Sequence, residues 1–207
     1  MDDAAPPEDH AATLARIREF FAPRAAGWET RFPDDGPRYT AAVAELALRP
    51  GQRVLDAGCG TGRALRPLRH AVGEQGTVLG LDLTPEMLAQ AAAEGRGALA
   101  VLAVADCGRL PLADGAVDAV FAAGLISHLT VLGDALAELA RVTRPGGRVL
   151  FFNPIGRAAL AARHGRRLTP ADLRAEPNLR PLLARTGWTL TRYLDEEDRF
   201  LALAVRA

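Results

Sequence analysis

Lysine is absent from this 207-residue chain, so all 25 basic side chains are arginine. Schiff-base catalysis and a phosphate-cradling P-loop both depend on a lysine amine, and both are thereby excluded. The 25 arginines are matched by 25 acidic residues. A chain without net charge is poorly suited to a partner held mainly through phosphates, so no nucleic-acid partner is expected. Cysteine is nearly missing as well. Cys59 and Cys107 are too few and too scattered for a disulfide framework or a structural zinc site. The four histidines, His10, His70, His128 and His164, show no pairing at metal-ligand spacing, and no metal is expected. No apolar run reaches the roughly 18 residues of a membrane span. The acidic, proline-bearing start, Met1 to Glu8, has neither the basic nor the apolar part of a secretory signal. A cytoplasmic protein without membrane contact is expected, with a disordered tail over 1–8 and one domain over 9–207.

What is present is an ordered alternation of patterns. Leu14, Ile17, Phe20 and Phe21 recur at helical spacing, predicting an amphipathic helix over about Asp9 to Phe32. Turn residues make Pro33 to Pro37 a loop, and Tyr39 to Leu48 reads as a second helix stopped by Pro50-Gly51. Strands are then predicted at Arg53–Asp56, Thr77–Leu81, Leu99–Val104, Ala116–Ala122 and Arg148–Phe152. Helices fall between them: Gly62 to about Val72, broken or turned early at Pro67; a helix opened by Thr84 as N-cap and Pro85; and Asp134–Val142 with Asp134 as N-cap. Continuous apolar strands alternating with helices predict an α/β, doubly wound, mostly parallel seven-stranded sheet with helices on both faces. The last two strands depart from that rhythm. Thr189–Tyr193 and Arg199–Val205 are joined by only Asp195 to Asp198, too short for a crossover, and should form a C-terminal antiparallel hairpin.

The most informative segment is Val54-Leu55-Asp56-Ala57-Gly58-Cys59-Gly60-Thr61-Gly62, an apolar strand running into a glycine-rich turn and a helix. Such a turn lets the backbone approach a ligand, with the free N–H groups of a helix start behind it. A dinucleotide fingerprint would need a small residue where Arg63 stands, and a large cation fits that packing role poorly. Asp82 closes the next strand twenty residues beyond Gly62, at the spacing expected of a ribose-binding carboxylate. Two acidic strand ends, Asp56 and Asp82, suit a cationic ligand better than a pyrophosphate.

With these residues in place, the chain resembles the class I (Rossmann-like) S-adenosylmethionine (SAM)-dependent methyltransferases, of the small-molecule type similar to the quinone-biosynthesis C-methyltransferases. Four segments carry the resemblance: Val54–Gly62; Gly80-Leu81-Asp82-Leu83-Thr84-Pro85-Glu86-Met87-Leu88; Ala105-Asp106-Cys107 with Leu110-Pro111-Leu112 and Asp118; and Leu139–Gly147. The resemblance implies SAM as cofactor. It places Asp56, Gly58, Cys59, Gly60 and Gly62 around the methionine end, Asp82 on the ribose and Leu83 on the adenine. Asp106 would take the adenine amino group, Cys107 would sit beside the ring, and Ala123 and Gly124 would line the methionine portion.

Methyl transfer from a sulfonium depends chiefly on holding the acceptor aligned with water excluded, and needs a base only for a protonated nucleophile. His128, after the fourth strand, is the candidate base; Tyr39, His164 and Glu29 are lesser ones. Residues 9–48 are expected to form a helical lid. Within it, Ala25-Ala26-Gly27-Trp28-Glu29 stands where the family usually shows Ala-x-x-Tyr-Asp, and Trp28 could contribute cation–π attraction to a sulfonium. No [Asp/Asn]-Pro-Pro-aromatic motif follows strand four, and Asn153-Pro154 lies after strand five instead. The expected partner is a small-molecule acceptor, a quinone or secondary metabolite. A non-catalytic or repurposed SAM-binding protein is the alternative.

Overall fold

The structure is a computed structural model that describes residues 10–31, 35–129 and 131–207. The expected tail over 1–8 lies outside the described residues, as do Phe32 to Asp34 of the first predicted helix and loop. Seven strands form one sheet: β1 (Arg53–Ala57), β2 (Thr77–Asp82), β3 (Val101–Val104), β4 (Val117–Ala123), β5 (Thr143–Asn153), β6 (Trp188–Asp195) and β7 (Phe200–Arg206). Their order is β3-β2-β1-β4-β5-β7-β6. Strands β1 to β5 pair in parallel, and β7 inserts antiparallel between β5 and β6. The expected α/β sheet and its C-terminal hairpin are therefore present. The hairpin's second strand, not its first, lies against the parallel sheet.

Side chains alternate across the strands as the period of two requires. On one face Val54, Ala119, Phe121, Leu150 and Phe152 meet α3 (Gly36–Glu45) and α4 (Leu65–Val72) through Val43, Leu46, Leu65 and Leu68. On the other, Leu55, Val120, Val149 and Phe151 meet α6 (Leu132–Val142) and α8 (Glu176–Arg185) through Leu136, Leu139, Leu179 and Leu183. Trp188 is fully buried there, and its indole N–H donates to the Leu136 carbonyl at 2.9 Å. Helix α5 (Pro85–Ala93) covers β2 and β3.

Several boundaries move, each for an identifiable reason. The first predicted helix is broken. Helix α1 (His10–Phe21) passes into a 3-10 turn at Ala22–Arg24 and then a four-residue α2 (Trp28–Arg31). Pro23 accounts for the break, because it lacks an N–H and its ring clashes with the carbonyl four residues back. Helix α3 begins at Gly36 rather than Tyr39, since Pro37 is tolerated in a first turn. Pro67 falls in the first turn of α4, which starts at Leu65, so it breaks nothing. Thr84 takes the N-cap position of α5 but makes no side-chain capping bond. Asp134 sits inside the first turn of α6, whose N-cap is Val131. Strand β5 starts at Thr143; Thr143 faces Val117 and Arg148 faces Ala119, so Arg144 to Gly147 bulge within the ladder. Helices α7 (Arg157–Arg163) and α8 were not predicted. Among the described residues no helix is long and apolar enough to cross a membrane.

Candidate functional site

In an open α/β sheet, ligands enter at the carboxyl ends of the strands where the strand order reverses. Here that point is between β1 and β4, and β1 ends in Asp56-Ala57. The following turn folds across the end of β2: Gly58 and Cys59 both donate backbone N–H groups to the Leu81 carbonyl, at 2.8 and 3.0 Å. Glycine is required by geometry at two of these positions. Gly58 (φ +66°) would place a Cβ 2.9 Å from Leu125, and Gly62 (φ +82°) would place one 2.6 Å from Leu65.

A cavity of about 1330 Å³ opens over this turn. Of the residues expected at the site, Asp56, Gly58, Cys59, Gly60, Asp82, Leu83, Asp106, Cys107, Ala123, Gly124, Trp28 and His128 all line it. Gly62 does not. It lies one residue behind the wall and shapes the turn that Thr61 and Arg63 present.

Asp56 is 2% exposed, and its Oδ2 atom has no hydrogen-bond partner. Burial, reinforced by the neighbouring Asp82 carboxylate, pushes its pKa up to about 8. A buried carboxylate oxygen facing a cavity without a partner is a costly arrangement unless a donor or cation completes it. Asp82 is also buried, which raises its pKa, although backbone donors oppose the shift. Its Oδ2 accepts from Gly60 N at 2.8 Å and its Oδ1 from Thr84 N at 2.8 Å. The turn and the head of α5 are thus both tied to one carboxylate. At the far end Asp106 accepts from Gly108 N through Oδ1, while its Oδ2 lies 2.8 Å from His10 Nε2 of α1. Arg18, also on α1, donates to the Leu83 carbonyl at 3.1 Å. Helix α1 therefore rests across this end of the cavity, to which it contributes Leu14, Ile17 and Phe21.

The two cysteines are buried. Burial, with Asp82 and Asp106 nearby, pushes the Cys107 thiol up to about 12, and burial likewise raises Cys59. Both act as small neutral filler at neutral pH. His128 lies in a 3-10 turn, Ile126–His128, ahead of α6 rather than at its start. Its ring stands edge-on to Phe21 at 4.9 Å, and Phe21 in turn meets Trp28 at 5.7 Å. Desolvation, followed by the charge of Arg174, lowers the His128 pKa, so the neutral imidazole is present at pH 7. Tyr39 and His164 line the cavity as well, as do Asn153 and Pro154 from the end of β5. Burial raises Tyr39 far above its ordinary value. Glu29 is not placed to act as a base. Burial alone would raise its carboxyl, but hydrogen bonds from Arg96 and Thr61 and the charge of Arg63 hold it at about 2. Among the described residues no three His, Cys, Asp or Glu side chains are grouped to hold a metal.

Residues 55–151, from the core of β1 to the core of β5, match the family described as a methyltransferase domain. The matched segment carries the glycine-rich turn, Asp82, Asp106 and His128. The chain is 44% identical over 131 residues to a malonyl-[acyl-carrier protein] O-methyltransferase of Pectobacterium atrosepticum, covering 62% of this chain and 49% of that protein. It is 34% identical over 110 residues to a ubiquinone/menaquinone biosynthesis C-methyltransferase of Burkholderia mallei, covering 52% and 45%. The chain thus spans about half the length of these relatives. In fold, the chain resembles the magnesium protoporphyrin IX methyltransferase of Synechocystis, solved with bound S-adenosylhomocysteine (SAH). The TM-score is 0.71 and the identity 18%, over 94% of this chain and all of that one.

The cradle's donor set fits SAM. It offers an unpaired buried carboxylate for a cationic amino acid end, a second carboxylate at a strand end for a diol, and a third at the loop after β3. The sequence did not reveal the ionic cluster beside the turn, formed by Glu29, Arg63, Asp35 and Arg96. Arg96 lies in no motif, and nothing in the sequence pairs it with Glu29.

Proposed function

We propose that this chain binds SAM and transfers its methyl group to a small-molecule acceptor. The observation that carries this reading is the buried, unpartnered Asp56 carboxylate, set beside Asp82 over a large cavity at the switch point. When bound, SAM supplies a methyl group on a positively charged sulfur, which leaves as a neutral thioether once a nucleophile takes the carbon. Asp56 supplies the negative charge that a cationic methionine end requires. Asp82 keeps unused lone pairs on both oxygens for ribose hydroxyls, while its backbone contacts hold it in place. Leu83 gives an apolar surface for the adenine, and Asp106 an acceptor for its amino group. Cys107 packs beside the ring, and Ala123 and Gly124 border the methionine portion. The residues of α1 and Trp28 act as a lid that excludes water, which strengthens every charge interaction inside.

His128 is proposed as the base for a hydroxyl acceptor. Its neutral form predominates at pH 7, and it lies on the cavity wall beside the lid. The acceptor is proposed to be a quinone or other secondary metabolite. The relatives include both O- and C-methylating proteins, so the acceptor atom is a further variable for the same experiment. The protein is incubated with methyl-labelled SAM and a cell extract, and the labelled product is isolated and identified. Label transfer that is lost in Asp82→Ala is the expected result. SAM binding without any transfer would instead support a non-catalytic SAM-binding protein.

A further inference from the structure

Helix α2 is only four residues long, and none of them is fully buried. So short a helix cannot hold itself in place, and its position must come from its side chains. Glu29 makes contacts to two distant pieces of the chain. Its Oε1 accepts from Thr61 Oγ1 at 2.5 Å, Arg96 Nη1 at 3.0 Å and Arg63 Nε at 3.3 Å. Its Oε2 accepts from Arg96 Nη2 at 2.9 Å, and its backbone carbonyl from Arg63 Nη2 at 3.4 Å. Arg96 also donates to the Thr61 carbonyl at 2.6 Å, and Arg63 to Asp35 Oδ2 at 3.3 Å. The Arg96 side chain lies so close to the turn that a Cβ on Gly62 would be 3.3 Å from its Cδ. One carboxylate therefore joins three sequence-distant pieces: α2, the Thr61–Arg63 turn and the 3-10 turn at Arg96–Ala98.

The charges are arranged with equal consistency. Arg63, on the cavity wall, and Arg96, against the Thr61 carbonyl, place two guanidinium groups beside a turn whose cavity side is proposed to receive a cationic cofactor. Without compensation they would repel a sulfonium and an ammonium. Glu29 and Asp35 are the carboxylates paired with them, and all four side chains are at least three-quarters buried, where screening by salt is weak. Trp28, the neighbour of Glu29, lines the cavity and reaches His128 through Phe21.

We propose that Glu29 is a positioning residue: it latches the N-terminal segment onto the cofactor turn and, together with Asp35, offsets the charge of the two arginines beside that turn. The charge part of this inference rests on the SAM reading given above; the mechanical part does not. In the latched state Trp28 and Phe21 stay against the cavity, and the Thr61–Arg63 turn keeps its shape. Without the carboxylate, the segment over residues 10–31 loosens, held only through α1 by contacts such as His10–Asp106 and Arg18–Leu83, and the turn faces the cofactor with an uncompensated positive charge.

The test uses the full chain and three proteins: wild type, Glu29→Gln and Arg96→Gln. Hydrogen–deuterium exchange of the ligand-free proteins is followed over residues 10–31 and over the sheet. Both variants should speed exchange of 10–31 at least tenfold while leaving β1, β4 and β5 unchanged. Calorimetry then compares SAM with SAH, which lacks the sulfonium charge. Glu29→Gln should weaken SAM by at least tenfold and SAH by clearly less, whereas Arg96→Gln, which removes a cation, should weaken SAM no more than SAH. Unchanged exchange of 10–31 in both variants would overturn the latch, and equal losses for SAM and SAH in Glu29→Gln would overturn the charge role. Failure of the wild-type protein to bind either compound would overturn the SAM reading and with it the charge role, while the exchange result would still decide the latch.

Discussion

Replacing Asp56 by Asn should make the ligand-free protein more stable and a worse binder. The carboxyl is raised from 3.8 to about 8 by burial and by Asp82. At about 1.36 kcal/mol per pH unit, ionising it in the folded state carries a penalty of at most roughly 6 kcal/mol. The amide keeps a desolvation cost of its own, and water in the cavity relieves part of the original penalty. A net gain of about 2 kcal/mol at pH 7.5 is therefore expected, or a rise in Tm of about 4–8 °C for a chain of this size. The sign follows from linkage. Because the folded-state pKa lies above the unfolded one, the favourable contribution of Asp56 is complete below about pH 4 and is lost as pH rises through about 8. The stabilising effect of Asn should accordingly be large at pH 8.5, smaller at pH 6 and negligible near pH 4. Circular dichroism melts of the ligand-free proteins at these pH values measure it. SAM affinity should fall at least tenfold in the same variant, since a charge-assisted contact contributes about 1.5–3 kcal/mol. Wild-type binding near pH 7 should also release protons, visible as a buffer-dependent calorimetric enthalpy, because the bound cation favours the ionised carboxylate. A variant that melts lower than wild type at pH 8.5 and binds SAM normally would refute this reasoning.

The remaining predictions concern the acceptor side, the turn and the core. Arg174→Gln should raise the His128 pKa toward its ordinary value near 6.5, as read by NMR titration, because the Arg174 charge is the second cause of its depression after desolvation. Since the folded value is depressed, His128 favours folding above its unfolded pKa and opposes it as pH falls through the folded value; His128→Gln should therefore flatten the acid side of the stability profile. Gly62→Ala should lower stability by about 1–3 kcal/mol in urea titrations, because an L side chain is strained at φ +82° and its Cβ meets Leu65 at 2.6 Å. Trp188→Ala should cost about 3–5 kcal/mol, since it empties a fully buried site and strips the Leu136 carbonyl of a donor. Equal stability of that variant would show that the C-terminal hairpin is not part of the cooperative core.

The sequence made the sheet readable because buried parallel strands are continuous apolar runs flanked by glycine, proline and polar turns. Val54 to Gly62 and Thr77 to Asp82 follow that pattern and lie where expected. Helix ends were less legible. Pro23, Pro37 and Pro67 look alike in sequence, yet the first breaks a helix and the other two sit in first turns. Strand β5 begins early because the residues around Pro145 bulge within the ladder, a choice made by pairing with β4 and not by local preference. Helix α8 was missed because Pro177 and Pro181 mask a pattern that Leu179, Leu182 and Leu183 still carry into the core. Of the site, Asp56, Asp82 and Asp106 were legible since each closes or follows a strand. The Glu29 cluster was not. Its partners lie 32, 34 and 67 residues away in the chain, and only the fold brings them to one carboxylate.

The central claim is that this cavity takes SAM through the carboxylates at the strand ends. Titration calorimetry of the wild type and Asp82→Ala with SAM, SAH and NAD tests it most directly. Saturable one-to-one binding of SAM and SAH, with both lost or weakened at least tenfold in Asp82→Ala and NAD silent throughout, is the predicted result. Tight NAD binding without SAM binding, or SAM affinity untouched by Asp82→Ala, would contradict it.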